Sequence, residues 1–155
     1  MEENRLASYI VKKFQMREAN TKGYSPLTLA FIGDSVFDLI IKTIIVERAN
    51  QSVNHLHENV SELVRAKTQA DMADILWDDL EEEEQAVYKR GKNAKIYRIA
   101  KNATRLDYHK ATGFEALIGK LYLDNQLERA IFLVKEGMER LNISPVKMED
   151  KGERY

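Results

Sequence analysis

From Leu27 to Val46 the chain reads "LTLAFIGDSVFDLIIKTIIV", a mostly apolar run without a proline. No other stretch restricts the fold as tightly. The run is long enough to cross a bilayer, but Asp34, Asp38 and Lys42 interrupt it. Each of these would cost about 2.5–3.5 kcal/mol at mid-membrane. It therefore reads as a buried helix of a soluble, non-membrane protein. Ser25 is its expected cap, with Pro26 in the first turn. Whatever packs on this helix must accommodate two carboxylates one turn apart.

The remainder fits the same class. Two prolines and seven glycines punctuate 155 residues, and no strand-like alternation persists, so the expected class is all-α. The length suits a single domain with a real core, residues 1–155 together. An amphipathic helix is expected from Glu2 to Arg17, carrying Leu6, Tyr9, Ile10 and Phe14 at helical spacing, with a loop closing the segment at 24. A break falls at Asn50 to Asn54. A short helix around Leu56 to Val64 follows, then "RAKTQADMADILWDDL" with Ala70, Ala73, Ile75, Leu76 and Leu80 as its buried stripe.

"DDLEEEEQAVYKR" opens with acids, as the helix dipole favours at an N-terminus. Residues 96–105 stay open between a short basic helix and a mobile loop. Further helices are expected over Tyr108 to Asn125 and Gln126 to Leu141, with 142–155 a flexible tail. The absence of cysteine excludes disulfides and thiolate metal ligands and suits a reducing cytoplasm. The opening "MEENRLASYI" lacks the apolar core of a secretory signal.

The formal net charge of −1 hides a segregation. Residues 89–110 hold eight Lys or Arg against Asp107 alone, so this segment is +7 and the remainder −8. A concentrated basic patch on an acidic chain points to a polyanionic partner more sharply than the total does. A solvated basic face is the alternative.

Asp34 sits among Phe31, Ile32, Val36 and Phe37, and Glu115 among Phe114, Ala116, Leu117 and Ile118. Each has a nearby glycine, Gly33 and Gly119, that permits close approach to the backbone at about 1 kcal/mol of helix propensity. Two readings stay open on spacing alone. Each acid occupies the wet edge of its helix, or the two helices pack and the acids converge on a hard cation. Magnesium suits the second reading, because it takes oxygen ligands, few of them from protein, and keeps several waters. Asp38 reads as structural, paired with a base or a backbone group. His55 and His57, at i and i+2, point to different sides of a helix and read as structural. Trp77 and Tyr88 read as core or edge packing.

"FIGDSVFDL" and "FEALIGKLYLD" together resemble the two catalytic segments of the ribonuclease III family, and "ELVRAKTQADMADIL" resembles the helix between them. The likeness covers roughly Ser25 to Arg140. "LHENVSELVRAKTQA", "EEEEQAVYKRGKNAK" and the end of the chain soon after the catalytic segments resemble the Mini-III branch in particular, which lacks a double-stranded-RNA-binding domain. The resemblance implies the family's endonuclease-domain helical fold, with Asp34 and Glu115 as catalytic residues and metal ligands for Mg²⁺, Mn²⁺ able to take its place. Where other members carry further acids this chain has Leu27, Ala30 and Thr112, losses that the Mini-III branch shares.

The resemblance also implies hydrolysis of double-stranded RNA to 5′-phosphate and 3′-hydroxyl ends by a cytoplasmic homodimer, with Phe31 inserted into the partner subunit. Its implied substrate is the 23S ribosomal RNA precursor, and the need for an accessory ribosomal protein stays open. "KRGKNAK" would engage the duplex: Lys89, Arg90, Lys92 and Lys95 by charge, Gly91 by close approach and Asn93 by hydrogen bonding. Lys67 is open between a phosphate, Glu115 and a plain surface position. Two rival readings are a non-catalytic RNA-binding protein on the same fold and a helical module whose basic face binds an acidic partner.

Overall fold

The computed structural model describes residues 5–18, 20–48, 52–96 and 104–143. Within them the chain is all-α, without a strand, as expected. The helices are α1 (Leu6–Lys13), α2 (Pro26–Arg48), α3 (Val53–Leu63), α4 (Ala66–Leu76), α5 (Glu82–Lys92), α6 (Arg105–Leu123) and α7 (Leu127–Arg140). The expectations for residues 2–4, 50–51, 97–103 and 144–155 lie outside the described residues, and the break expected as far as Asn54 ends earlier, because α3 begins at Val53. None of the described helices is long and apolar enough to cross a membrane.

α6 is the central post. Ala111 through Phe114 and Ala116 through Leu121 are buried, so it is covered around most of its circumference. α2, α4 and α5 pack on it directly, and α7 covers α4. Two glycine pairs bring α6 against its neighbours. A Cβ on Gly33 would lie 1.8 Å from the Glu115 carbonyl oxygen, and one on Gly119 would lie 2.0 Å from the Leu29 carbonyl oxygen. α2 and α6 therefore meet backbone to backbone. On another side, a Cβ on Gly91 would stand 2.8 Å from the Gly113 Cα, and one on Gly113 would stand 2.6 Å from the Tyr88 carbonyl oxygen.

Local chemistry sets the helix ends. Thr28 N donates to Ser25 Oγ (3.1 Å), confirming the expected cap of α2. Ser52 and Thr104 accept from His55 N and Asp107 N to start α3 and α6. Glu81 N donates to Glu84 Oε1 (2.9 Å) at the start of α5. Burial alone would raise the Glu84 carboxyl, but Arg129, bonded to both its oxygens at 2.8 and 2.9 Å, and the Glu81 backbone N–H together outweigh burial and hold it below the usual range. Asn125, at φ 61°, ends α6 in the left-handed conformation, and Gln126 N donates back to the Leu121 carbonyl (2.7 Å).

Two expectations need correction. Ile75 lies on the exposed side of α4, where Gln69 and Met72 complete the buried stripe instead. The periodicity explains it: 69, 72, 73 and 76 share one face, and 75 falls off it. α1 stops at Lys13, short of Arg17, because Gln15 adopts a positive φ of 56°.

Candidate active site

Phe37 is one turn beyond Asp34 on α2, and Phe114 immediately precedes Glu115 on α6. Their rings meet edge to face at 5.8 Å and 84°, both fully buried. With the Gly33 contact on Glu115's own carbonyl, this fixes the register of the two helices. The result is that Asp34 and Glu115 hydrogen-bond to each other. Of the two readings open on spacing, the geometry supports convergence.

The pair is asymmetric. Asp34 is exposed, whereas Glu115 is largely covered. Burial, then the hydrogen bond and charge of Asp34, push the Glu115 carboxyl up to about 9, while a hydrogen bond from Gln69 works in the opposite direction. At neutral pH Glu115 therefore carries a proton, which it can donate to Asp34. A divalent cation in that proton's place would satisfy both carboxylates at once, so the donor set fits one. No group of three or more His, Cys, Asp or Glu able to hold a metal occurs among the described residues, so the protein offers this site two carboxylates. Thr112 adds no ligand here: its hydroxyl donates to the Tyr108 carbonyl (2.9 Å) and its side chain is buried.

The other expected residues separate. Asp38 pairs with Lys42 at 2.8 Å, the structural role expected of it. His55 and His57 are exposed on α3. Trp77 packs edge-on against the buried Tyr88 ring at 5.7 Å. Lys67 is exposed and bonded to Asp71 (3.3 Å), and the α4 side chain that reaches Glu115 is Gln69. Sequence reasoning passed over Gln69, although it is the one polar residue on the face shared by Ala70, Ala73 and Leu76.

Phe31 is 78% exposed and is thus not a core residue; Leu27, Leu39 and Val46 are exposed along the same helix.

Of the basic segment, Lys89, Arg90 and Lys92 form the last turn of α5 and Asn93 and Lys95 its exit, while 97–103 lie outside the described residues. Lys89, Arg90 and Lys92 there complement the C-terminal end of the helix dipole. Lys89 stands over the Trp77 ring, 5.4 Å from its centroid. Asn93 caps the helix, and Lys95 is exposed beyond it. Gly91 requires correction. Its close approach is to Gly113 of α6, and it is buried there, so the duplex contact expected of it is unavailable. His109 Nδ1 donates to the Lys92 carbonyl (3.0 Å), which ties this end of α5 to α6. Lys110 is taken up by Asp74 at 2.8 Å.

A model of the ribonuclease III domain matches residues 27–126, the span that holds α2 through α6 and both convergent acids. The chain belongs to the ribonuclease III domain family. Within the family it is similar to the Mini-ribonuclease 3 of a Thermoanaerobacter species, 48% identical over 105 residues, which cover 68% of this chain and 74% of that protein. The Mini-ribonuclease 3 of Clostridium tetani is 37% identical over 142 residues, or 91% of this chain and 92% of that protein. A crystal structure of a Fusobacterium nucleatum protein superposes with a TM-score of 0.71 at 29% identity, covering 79% of this chain and 99% of that one. The family read from "FIGDSVFDL" and "FEALIGKLYLD" is thereby borne out, and those two segments are the ones that meet through Gly33 and Gly119.

Proposed function

We propose that this endoribonuclease of the ribonuclease III family hydrolyses phosphodiester bonds in double-stranded RNA with a divalent cation held by Asp34 and Glu115. The observation that carries the reading is the contact of those two acids from separate helices, with the inner one kept protonated by burial and by its neighbour. Mg²⁺ is the expected ion, with Mn²⁺ able to substitute, and when bound it supplies water activation and charge neutralisation at the scissile phosphate. Glu115, as a carboxylate, would hold the ion from the covered side, and the exposed Asp34 would hold it from the side open to substrate. Two carboxylates leave the remaining coordination to water and a phosphate oxygen. The products are a 5′-phosphate and a 3′-hydroxyl.

The working form is a homodimer that places one site against each strand. Phe31 is the anchor, supported by its 78% exposure as a large aromatic on α2 and by the exposed Leu27 beside it. Lys89, Arg90, Lys92, Asn93 and Lys95 at the end of α5 contact phosphates of the duplex, which A-form RNA presents without a readable major groove. Lys67, exposed on the helix that carries Gln69, is a further phosphate contact. The substrate we favour is the 23S ribosomal RNA precursor in the cytoplasm, supported by the likeness to Mini-ribonuclease 3 proteins. An accessory ribosomal protein would act by presenting that RNA.

The test is incubation of labelled duplex RNA with wild type and Asp34→Asn, with and without Mg²⁺. Cleavage by wild type in Mg²⁺ alone, with duplex binding kept by the variant, is expected. Equal cleavage by Asp34→Asn would remove the carboxylate pair from the chemistry. Binding without cleavage by wild type would leave an RNA-binding protein.

A further inference from the structure

Gln69 is 2% exposed on α4, with Ala70, Met72, Ala73 and Leu76 as its buried companions on that helix. A primary amide in such a place costs several kcal/mol unless its donors are used. They are used on two different elements. Nε2 donates to the carbonyl of Val64 (3.3 Å), the residue that ends α3, and the side chain also hydrogen-bonds to Glu115 on α6. No buried side-chain nitrogen or oxygen among the described residues lacks a partner.

The choice of an amide is informative. A leucine at this position would fill the stripe and deprive both the Val64 carbonyl and the Glu115 carboxyl of this donor. A lysine or arginine would form an ion pair with Glu115 and compete with any cation for its charge. A neutral donor does neither: it holds the carboxyl in place and leaves its charge available. Its far end is anchored to main chain at the α3–α4 turn, not to another mobile side chain. Asp34 reaches Glu115 from α2 and Gln69 reaches it from α4, so the carboxyl is fixed from two elements. The Gln69 bond also opposes the upward push that burial and Asp34 exert on Glu115.

We infer that Gln69 is a positioning residue for the cation site, its amide tying Glu115 to the Val64 carbonyl so that the carboxylate faces Asp34 in a single orientation. This rests on the proposed cation site and names a part of it that the acidic residues alone do not reveal. Groups that orient a ligand typically contribute about 10- to 100-fold to metal affinity.

The experiment uses Gln69→Met, close in volume and free of polar atoms, with Ile75→Met as an exposed control on the same helix. Mn²⁺ binding is measured by calorimetry on metal-free protein, and duplex cleavage is measured across Mg²⁺ concentrations. Gln69→Met is expected to weaken Mn²⁺ binding by about tenfold or more. Its cleavage should return towards the wild-type rate at high Mg²⁺, and Ile75→Met should bind Mn²⁺ as wild type does. Mn²⁺ affinity of Gln69→Met within about twofold of wild type would overturn the inference.

A measurement on the wild type covers the case in which the variant does not fold. The Gln69 side-chain amide resonance is expected to shift with Mg²⁺ in step with the binding isotherm, and an unmoved resonance would equally overturn the inference. If wild type itself binds no Mn²⁺, the cation site fails and this inference with it. If wild type binds, Asp34→Asn loses binding and Gln69→Met keeps it, only the role of Gln69 fails.

Discussion

Replacing Glu115 with glutamine should remove activity and at the same time make the metal-free protein more tolerant of rising pH. In the fold, burial first and Asp34 second push the Glu115 carboxyl from 4.5 up to about 9. Below the lower value the folded and unfolded chains both hold the proton, and the contribution to stability is complete. As pH rises through the window up to about 9, the unfolded chain has released its proton and the folded chain must retain one, so stability falls.

Each pH unit in that window costs about 1.4 kcal/mol, so between near pH 5 and near pH 7 this group withdraws about 2 kcal/mol after allowing for water at its exposed edge. That is a large share of a domain stability of about 5–15 kcal/mol. Glutamine has the same shape, can donate to Asp34 and does not titrate. Urea midpoints followed by circular dichroism in EDTA, for wild type and Glu115→Gln across this range, give the difference curve directly. Wild type should lose stability relative to the variant as pH rises, and saturating Mg²⁺ should flatten the wild-type slope by taking the place of the proton. Parallel curves in EDTA would refute a protonated Glu115.

Gly33→Ala sets two effects against each other. Helix propensity favours alanine by about 1 kcal/mol, but its Cβ would stand 1.8 Å from the Glu115 carbonyl oxygen, an atom of a central helix that cannot step aside. Overpacking should win, with a net loss of at least about 2 kcal/mol in urea unfolding, and a stabilised variant would disprove the backbone contact. Phe31→Arg should give a monomer in analytical ultracentrifugation with cleavage abolished; a fully active dimer would remove Phe31 from the interface. Neutralising Lys89, Arg90 and Lys92 together should lower the slope of log affinity against log salt for duplex RNA by about 1 for each phosphate that these side chains neutralise. An unchanged slope would place the duplex elsewhere.

The helices were legible where one periodicity held without competition. The apolar run from Leu27 gave α2, with Ser25 as its cap, and the acids before Gln85 gave the start of α5. The site was legible in part because burying an acid is expensive: Glu115 stands out against its apolar neighbours, and Asp34 interrupts a mostly apolar run. What the pattern missed was reciprocal geometry. Gly91 in "KRGKNAK" reads as an opening for a ligand, because its neighbours are basic, yet the residue it meets is Gly113, and nothing near Gly91 in sequence announces that. Lys67 drew attention by its charge, whereas the neutral Gln69 two positions on is the residue bonded to Glu115.

The common cause is that charge advertises itself in sequence, while a glycine or an amide acquires meaning only from its partner. Gly33 shows the difference best. It was noticed as the neighbour of Asp34, but its physical task is carried out on Glu115, whose carbonyl it admits to within contact of α2. The residue that makes the pair possible thus carries no chemistry of its own. A methyl group there should undo the site while leaving both carboxylates in the sequence.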